Sequence, residues 1–289
     1  MKTKRRPLRF LLLLGAAFLF AYLVFTLGLS GYYTYNLLHP ACPVAADAQP
    51  GYDLVSLTMA DGVELSGWWH APQNNSVIIM LPGSGGNRDA MLPYAQPLAQ
   101  AGYGIMILES RNCAGHMVTL GWRESEDMQT MLGYALSQPD VEWVGALGFS
   151  VGGAAALNAA ADDERIQTVV AMGQYANLYT EFTNSAGAVM SYEWQIDNLV
   201  AMEYWLFTGV SSAALSPEED IRLITSRPVL LIFGELEIAN GNGYAQAEAG
   251  GSNTELWVIP GAGHGGYIQA AGDEVGERIA EFFDASFNQ

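Results

Sequence analysis

The sequence predicts an α/β protein, a mostly parallel sheet flanked by helices, with one N-terminal transmembrane helix. Three observations predict it. Short apolar runs alternate with helical stretches between residues 77 and 172, the pattern of a parallel sheet covered on both faces. A G-x-S-x-G sequence, Gly148-Phe149-Ser150-Val151-Gly152, lies where one such strand gives way to a helix. An uninterrupted apolar run from Phe10 to Leu29 follows Lys2, Lys4, Arg5, Arg6 and Arg9.

The apolar run comes first in the chain. About 20 residues at about 1.5 Å per helical residue span about 30 Å, the hydrocarbon thickness of a bilayer. A signal-peptide core is shorter, about 7–15 residues, and ends in a small-residue cleavage site. Here Tyr32, Tyr33 and Tyr35 follow instead, the composition of an interfacial aromatic belt. The reading is a single-pass membrane anchor, with the basic N-terminus cytoplasmic and the main domain extracytoplasmic. A cleaved signal on a secreted protein is the alternative. Residues 1–30 form the basic tail and anchor, 31–50, with Pro40, Pro43 and Pro50, a stalk, and 51–289 the globular domain.

That domain has the composition to bury a full core, since half the chain is apolar and 11% is aromatic. Its charge is one-sided. All 30 acidic residues follow the five cationic residues of the tail, which leaves 12 − 5 = 7 basic residues and a formal charge of 7 − 30 = −23 beyond Arg9. Such a surface repels nucleic acid, and no basic patch offsets it. Two cysteines, Cys42 and Cys113, are too few for a disulfide framework or a cysteine-rich zinc site. Their pairing is compatible with an extracytoplasmic domain, and the sequence alone does not decide it.

From Tyr52 two alternating segments, about Asp53–Met59 and Val63–Trp69, are joined by Ala60-Asp61-Gly62, the chemistry of a tight hairpin turn. Strands are then expected at Val77–Leu81, Gly104–Leu108, Trp143–Leu147, Thr168–Met172, Pro228–Phe233 and Glu255–Ile259. The expected helices end near Gly102 and cover Glu124–Ser137, Val151–Ala161 and Asp273–Phe283. Between Gln174 and Pro217 the alternation breaks into an aromatic-rich insertion.

The G-x-S-x-G sequence carries the chemistry. A serine on a sharp strand-to-helix turn presents its Oγ above the sheet edge, and the flanking glycines allow close backbone approach. Near neutral pH a serine hydroxyl needs an imidazole base oriented by a carboxylate. Of His39, His70, His116 and His264, only His264 follows the last strand, in Pro260-Gly261-Ala262-Gly263-His264-Gly265-Gly266. That loop reaches the carboxyl end of the sheet, where open α/β folds bind ligands. The acid is expected after the strand Pro228–Phe233, in Gly234-Glu235-Leu236-Glu237.

These motifs, over roughly Asp53–Phe283, resemble the α/β-hydrolase superfamily, in particular its small serine esterase and peptidase-like branch. The resemblance implies an acid three residues after the glycine, here Glu237, with Glu235 as the rival. Glutamate where aspartate is usual departs from the pattern. It also implies an oxyanion hole formed by the backbone amides of Val151 and of Ser84 in the loop Pro82–Asn87, where Pro82-Gly83 replaces a usual His-Gly. Glu109–His116 falls where relatives carry a structural Asp-x-Arg-Gly turn, so Arg111 is expected to tie loops together. The Gln174–Pro217 insertion falls where the superfamily places its cap, which excludes water and forms a pocket.

The resemblance implies hydrolysis of a small-molecule ester, amide or peptide through an acyl-enzyme, with Ser150 attacking, His264 as base and Glu237 orienting it. The alternative is a non-catalytic hydrolase-fold binding protein. Among enzymes, peptidase and thioesterase activities share these residues with esterases. No metal or cofactor is expected, because no H-E-x-x-H or comparable ligand cluster is present.

Overall fold

The computed structural model describes residues 5–184, 189 and 191–287, which leaves Lys2 and Lys4 of the basic tail outside the described residues. The chain divides into two compact units, an anchor–cap unit of Met1–Leu37 with Phe182–Ser212 and a body of Leu38–Glu181 with Ala213–Gln289.

In the body, eight strands form one sheet: β1 Asp53–Thr58, β2 Glu64–His70, β3 Ser76–Leu81, β4 Gly104–Leu108, β5 Trp143–Phe149, β6 Ile166–Met172, β7 Val229–Gly234 and β8 Thr254–Ile259. They lie in the order β1-β2-β4-β3-β5-β6-β7-β8. β1 and β2 form an antiparallel hairpin registered from Asp53↔Trp69 to Thr58↔Glu64. Gly62 takes the left-handed conformation its turn requires, with φ 86°. β2 also pairs antiparallel with β4, and every pairing from β4 across to β8 is parallel.

The parallel strands explain why their sequences are continuous apolar runs rather than alternating ones. Val77–Met80 of β3 and Ile105–Leu108 of β4 are fully buried, because helices cover both faces. One face packs against α2 (Leu92–Gln100) and α10 (Glu274–Phe287), where Leu98, Ile279 and Phe283 meet Ile78, Ile105 and Leu147. The other packs against α3 (Trp122–Ser137) and α4 (Val151–Asp162), through Met128, Met131, Leu132 and the small side chains Ala155, Ala156 and Ala159. The alanines let α4 lie close to the strands that it connects. Cys42 and Cys113 form a disulfide with Cα atoms 5.1 Å apart, which ties the segment before β1 to the loop after β4.

The anchor–cap unit consists of α1 (Arg5–Leu38) and α6 (Tyr192–Thr208), with the end of α5 (Leu178–Thr183) leading into it. Arg9–Leu38 is long and apolar enough to cross a membrane, and Phe10, Leu13, Phe18 and Phe20 are exposed along it. Gly31–Leu38, read from sequence as the start of a stalk, continue the helix. No proline lies between Pro7 and Pro40, so nothing breaks the helix across Gly31–Leu38. Alongside it, Tyr22 donates to Gln195 Oε1 at 2.7 Å. Ser30 and Thr34 lie 2.9 and 3.2 Å from the two carboxylate oxygens of Glu203.

Candidate active site

Ser150 is the junction between β5 and α4. Its φ of 53° and ψ of −117° lie in a region that non-glycine residues rarely occupy, at a typical cost of about 1–3 kcal/mol. The turn is held from both sides. Ser150 N–H donates to Met172 O on β6 at 2.7 Å, and a side chain at Gly148 or Gly152 would run into the backbone of Gly152 or Leu81 respectively. The Oγ is thereby fixed at the carboxyl end of the central strands.

Val151 opens α4, so its N–H belongs to the helix N-terminus, where amides lack an intrahelical acceptor. Gly83 lies against Ser150, and a Cβ added there would sit 3.1 Å from the serine's own Cβ. Ser84 follows on an exposed turn. The turn is braced by Gly86 N–H donating to Gly83 O at 3.0 Å and Gly85 N–H donating to Asn112 Oδ1 at 3.1 Å. Neither brace uses the Ser84 amide.

His264 occupies the loop after β8. Its Nε2 lies 3.1 Å from Ser150 Oγ and its Nδ1 lies 2.6 Å from Glu237 Oε2, while the Phe149 ring packs at 4.8 Å from the imidazole. Glu237 sits on the turn after β7, where its own N–H and that of Ile238 both donate to Gly234 O. The turn folds the side chain back, so that Oε1 accepts from Gly234 N–H at 2.8 Å and from the Tyr267 hydroxyl. Burial pushes this carboxyl up. The hydrogen bonds from His264, Tyr267 and Gly234 and the His264 charge outweigh it, so Glu237 titrates below its ordinary range. Burial and the neighbouring carboxylate push the Tyr267 hydroxyl well above its ordinary value, which keeps it a donor.

Glu235 does not reach His264. It is exposed and accepts from Gly261 N–H at 2.9 Å. Arg111 is buried away from the serine. Its Nε and Nη2 hold Asp127 at 2.7 and 2.5 Å, and its Nη1 holds Asp61 of the β1–β2 turn at 2.6 Å. Burial pulls this guanidinium down, and the hydrogen bonds to Asp127 and Asp61 more than offset it, leaving it above its ordinary value. His116 is exposed, and His70 lies 2.7 Å from Gly51 O through Nδ1. Arg111, His116, His70 and His39 do not line the cleft at Ser150.

That cleft, of about 250 Å³, is lined by Ser150, His264 and Glu237 with Gln174, Tyr175, Glu181, Phe233 and Asn240. Gln174 and Asn240 lie in connections whose sequence carries no periodicity, Glu181 lies in the short helix α5, and Tyr267 opens another short helix. The sequence offers one signal for Tyr267, its position three residues after His264. Among the described residues no group of three or more His, Cys, Asp or Glu is arranged to hold a metal ion.

A family model described as alpha/beta hydrolase fold matches residues 76–203. Solved structures match over most of the chain. The esterase Pf2001 of Pyrococcus furiosus superimposes with a TM-score of 0.66 at 22% identity, over 86% of this chain and 98% of its own. Est1E of Butyrivibrio proteoclasticus gives 0.62 at 18%, over 83% and 100%. The alpha/beta hydrolase GrgF of a Penicillium species gives 0.61 at 17%, over 82% and 99%. Among curated proteins none matches the sequence significantly. The sheet order, the strand-to-helix serine and these structural matches give the chain the α/β-hydrolase fold.

Proposed function

We propose that this protein is a serine hydrolase that cleaves a carboxylic ester or amide through an acyl-enzyme. The observation that carries the reading is the hydrogen-bonded line from Ser150 through His264 to Glu237, opening on a cleft at the carboxyl end of the sheet. The α/β-hydrolase fold, and the esterases among the structures it resembles, support hydrolysis as the reaction class.

In this reading His264 Nε2 takes the proton of Ser150 Oγ as the oxygen attacks the substrate carbonyl. Glu237 fixes the Nδ1–H tautomer and stabilises the imidazolium that forms. The carbonyl electrons move onto oxygen, where the Val151 and Ser84 amides donate; one such donor is typically worth about 3 kcal/mol of barrier. His264 returns the proton to the departing alcohol or amine, leaving Ser150 acylated. Water then repeats the sequence, with His264 again as base, and releases the acid.

We further propose that α1 anchors the body in a membrane, with the body on the extracytoplasmic side. The apolar helix and the Cys42–Cys113 disulfide support this, because disulfides persist in oxidising compartments.

The test is a fluorophosphonate probe applied to the full-length protein in neutral detergent, with the adduct located by peptide mass. Labelling at Ser150 that vanishes in Ser150→Ala is the expected result. A folded wild type that stays unlabelled sinks the catalytic reading and favours a binding protein. Labelled protein is then screened against esters, thioesters and peptides.

A further inference from the structure

We propose that the cleft beside Ser150 selects substrates that carry a positively charged nitrogen close to the scissile carbonyl, with the Glu181 carboxylate as its counter-charge. This inference rests on the hydrolase reading above and names the substrate class of that site. The charges lining the cleft are the starting point. Besides His264 it contains two carboxylates, Glu237 and Glu181, and no Lys or Arg. Glu237 is committed to His264, Tyr267 and the Gly234 amide. The carboxylate of Glu181 has no hydrogen-bond or ion-pair partner among the described residues.

Glu181 keeps access to solvent at the cleft, while the protein packed around its carboxyl pushes it above the ordinary value and the nearby His264 charge offsets that only in part. An accessible carboxylate with no partner is free to meet a cation delivered by the ligand, and the pairing strengthens as the ligand excludes water. The other lining groups fit the same guest. Gln174 is fully buried, its Nε2 is used on Gln246 Oε1 at 2.9 Å, and its Oε1 has no partner. Such an acceptor matches an N–H donor. Phe233 and Tyr175 add aromatic walls, whose faces attract ammonium groups.

The alternative guests fit worse. An anionic group would face Glu181 with no cation in the cleft to offset it. A purely apolar group would bury the carboxylate without compensation. Formal charge of −23 beyond Arg9 also raises the local concentration of cations around the body. The substrate class is therefore an ester or amide whose acyl or leaving portion bears an ammonium, such as an aminoacyl or amino-alcohol derivative.

The test does not require the substrate itself. Full-length protein in neutral detergent is labelled at Ser150 with fluorophosphonate in the presence of benzylammonium or benzyl alcohol, a matched pair differing in charge. Benzylammonium should protect at concentrations at least 10-fold lower than benzyl alcohol. That ratio should fall below 2-fold in Glu181→Gln and persist in Glu181→Asp, which keeps the charge. In the wild type the ratio should grow as pH rises through the Glu181 titration. Equal protection by the two compounds, or a preference that survives Glu181→Gln, overturns the inference and leaves the hydrolase reading standing. Folded wild type that fluorophosphonate does not label at Ser150 overturns both.

Discussion

Glu237 in the body and Glu203 in the anchor–cap unit are both carboxylates withdrawn from water, at 9% and 7% exposure, and they are surrounded differently. Two of the donors to Glu237 are the Gly234 amide, at the end of β7, and the hydroxyl of the fully buried Tyr267, on the short helix after the His264 loop, and the strand and the packing around Tyr267 fix them. Glu203 is met by the hydroxyls of Ser30 and Thr34. Each hydroxyl has one hydrogen and a second use for it, since Ser30 Oγ lies 3.0 Å from Thr26 O and Thr34 Oγ1 lies 2.9 Å from Ser30 O. Fixed donors orient a carboxylate, whereas donors that can turn back to their own helix only accommodate one. The body's carboxylate is thus built to hold another group in place, and the cap's is built to be tolerated.

The sharpest way to break that comparison is to neutralise Glu237. Glu237→Gln keeps the shape and removes the charge that holds His264 in its Nδ1–H tautomer, so kcat for any ester substrate should fall on the order of 10⁴-fold. Glu235→Gln, two residues earlier, should change kcat by less than about 3-fold, because Glu235 bonds only the Gly261 amide. Equal losses in the two variants would contradict the assignment of Glu237. Next in size is another buried ionic site of the body. Arg111→Met leaves Asp127 buried beside no cation, and removing one member of such a pair typically costs about 3–5 kcal/mol. Denaturant unfolding should register that loss, and Arg111→Met combined with Asp127→Leu should recover most of it.

Asp220 extends the comparison to a half-buried carboxylate with no fixed cation. On α7 (Pro217–Leu223), burial pushes it up to about 7, against a hydrogen bond from Asn158 and with further upward pressure from Asp162 and Glu219. Its folded value lies above the ordinary 3.8, so the folded state holds a proton that the unfolded state releases. Stability from this group is fully present below about pH 4 and is lost as pH rises to about 7. Asp220→Asn should therefore match wild type near pH 4 and exceed it at pH 8. We expect about 1 kcal/mol, or about 2–4 °C in Tm, allowing for the partial solvent access of the side chain. A gap that widens toward low pH would reverse the sign and refute the assignment.

The same contrast governs what could be read from the sequence. β3, β4 and β5 are legible because a strand buried on both faces must be apolar throughout, and the glycines beside Ser150 are legible because the turn tolerates no side chain there. His264 and Glu237 follow from their positions after β8 and β7. The resemblance favoured Glu237 over Glu235, while the residues alone left both within reach; the backbone of the turn brings Glu237 to His264 and leaves Glu235 exposed. Glu181 and Gln174 carry no signal, because their roles depend on which loops converge on the cleft. α1 was legible to Leu29 by hydropathy. Its continuation to Leu38 was not, because Ser30, Tyr32, Thr34 and Asn36 interrupt the apolar pattern while leaving the helix intact.

Glu203 gives the smallest and most discriminating effect. If Ser30 and Thr34 keep their hydrogens on Thr26 O and Ser30 O, their oxygens face position 203 as acceptors, and an amide there supplies the donors that a carboxylate lacks. Glu203→Gln should then leave the resistance of the 182–212 segment to limited proteolysis unchanged, with any stability change within about 0.5 kcal/mol, whereas Glu203→Leu strands both hydroxyl oxygens and should loosen it. If Glu203→Gln instead costs more than about 1.5 kcal/mol, the hydroxyls donate outward to a charged Glu203. The cap's carboxylate would then be held as firmly as the one beside His264, and the distinction between fixed and turnable donors would fail.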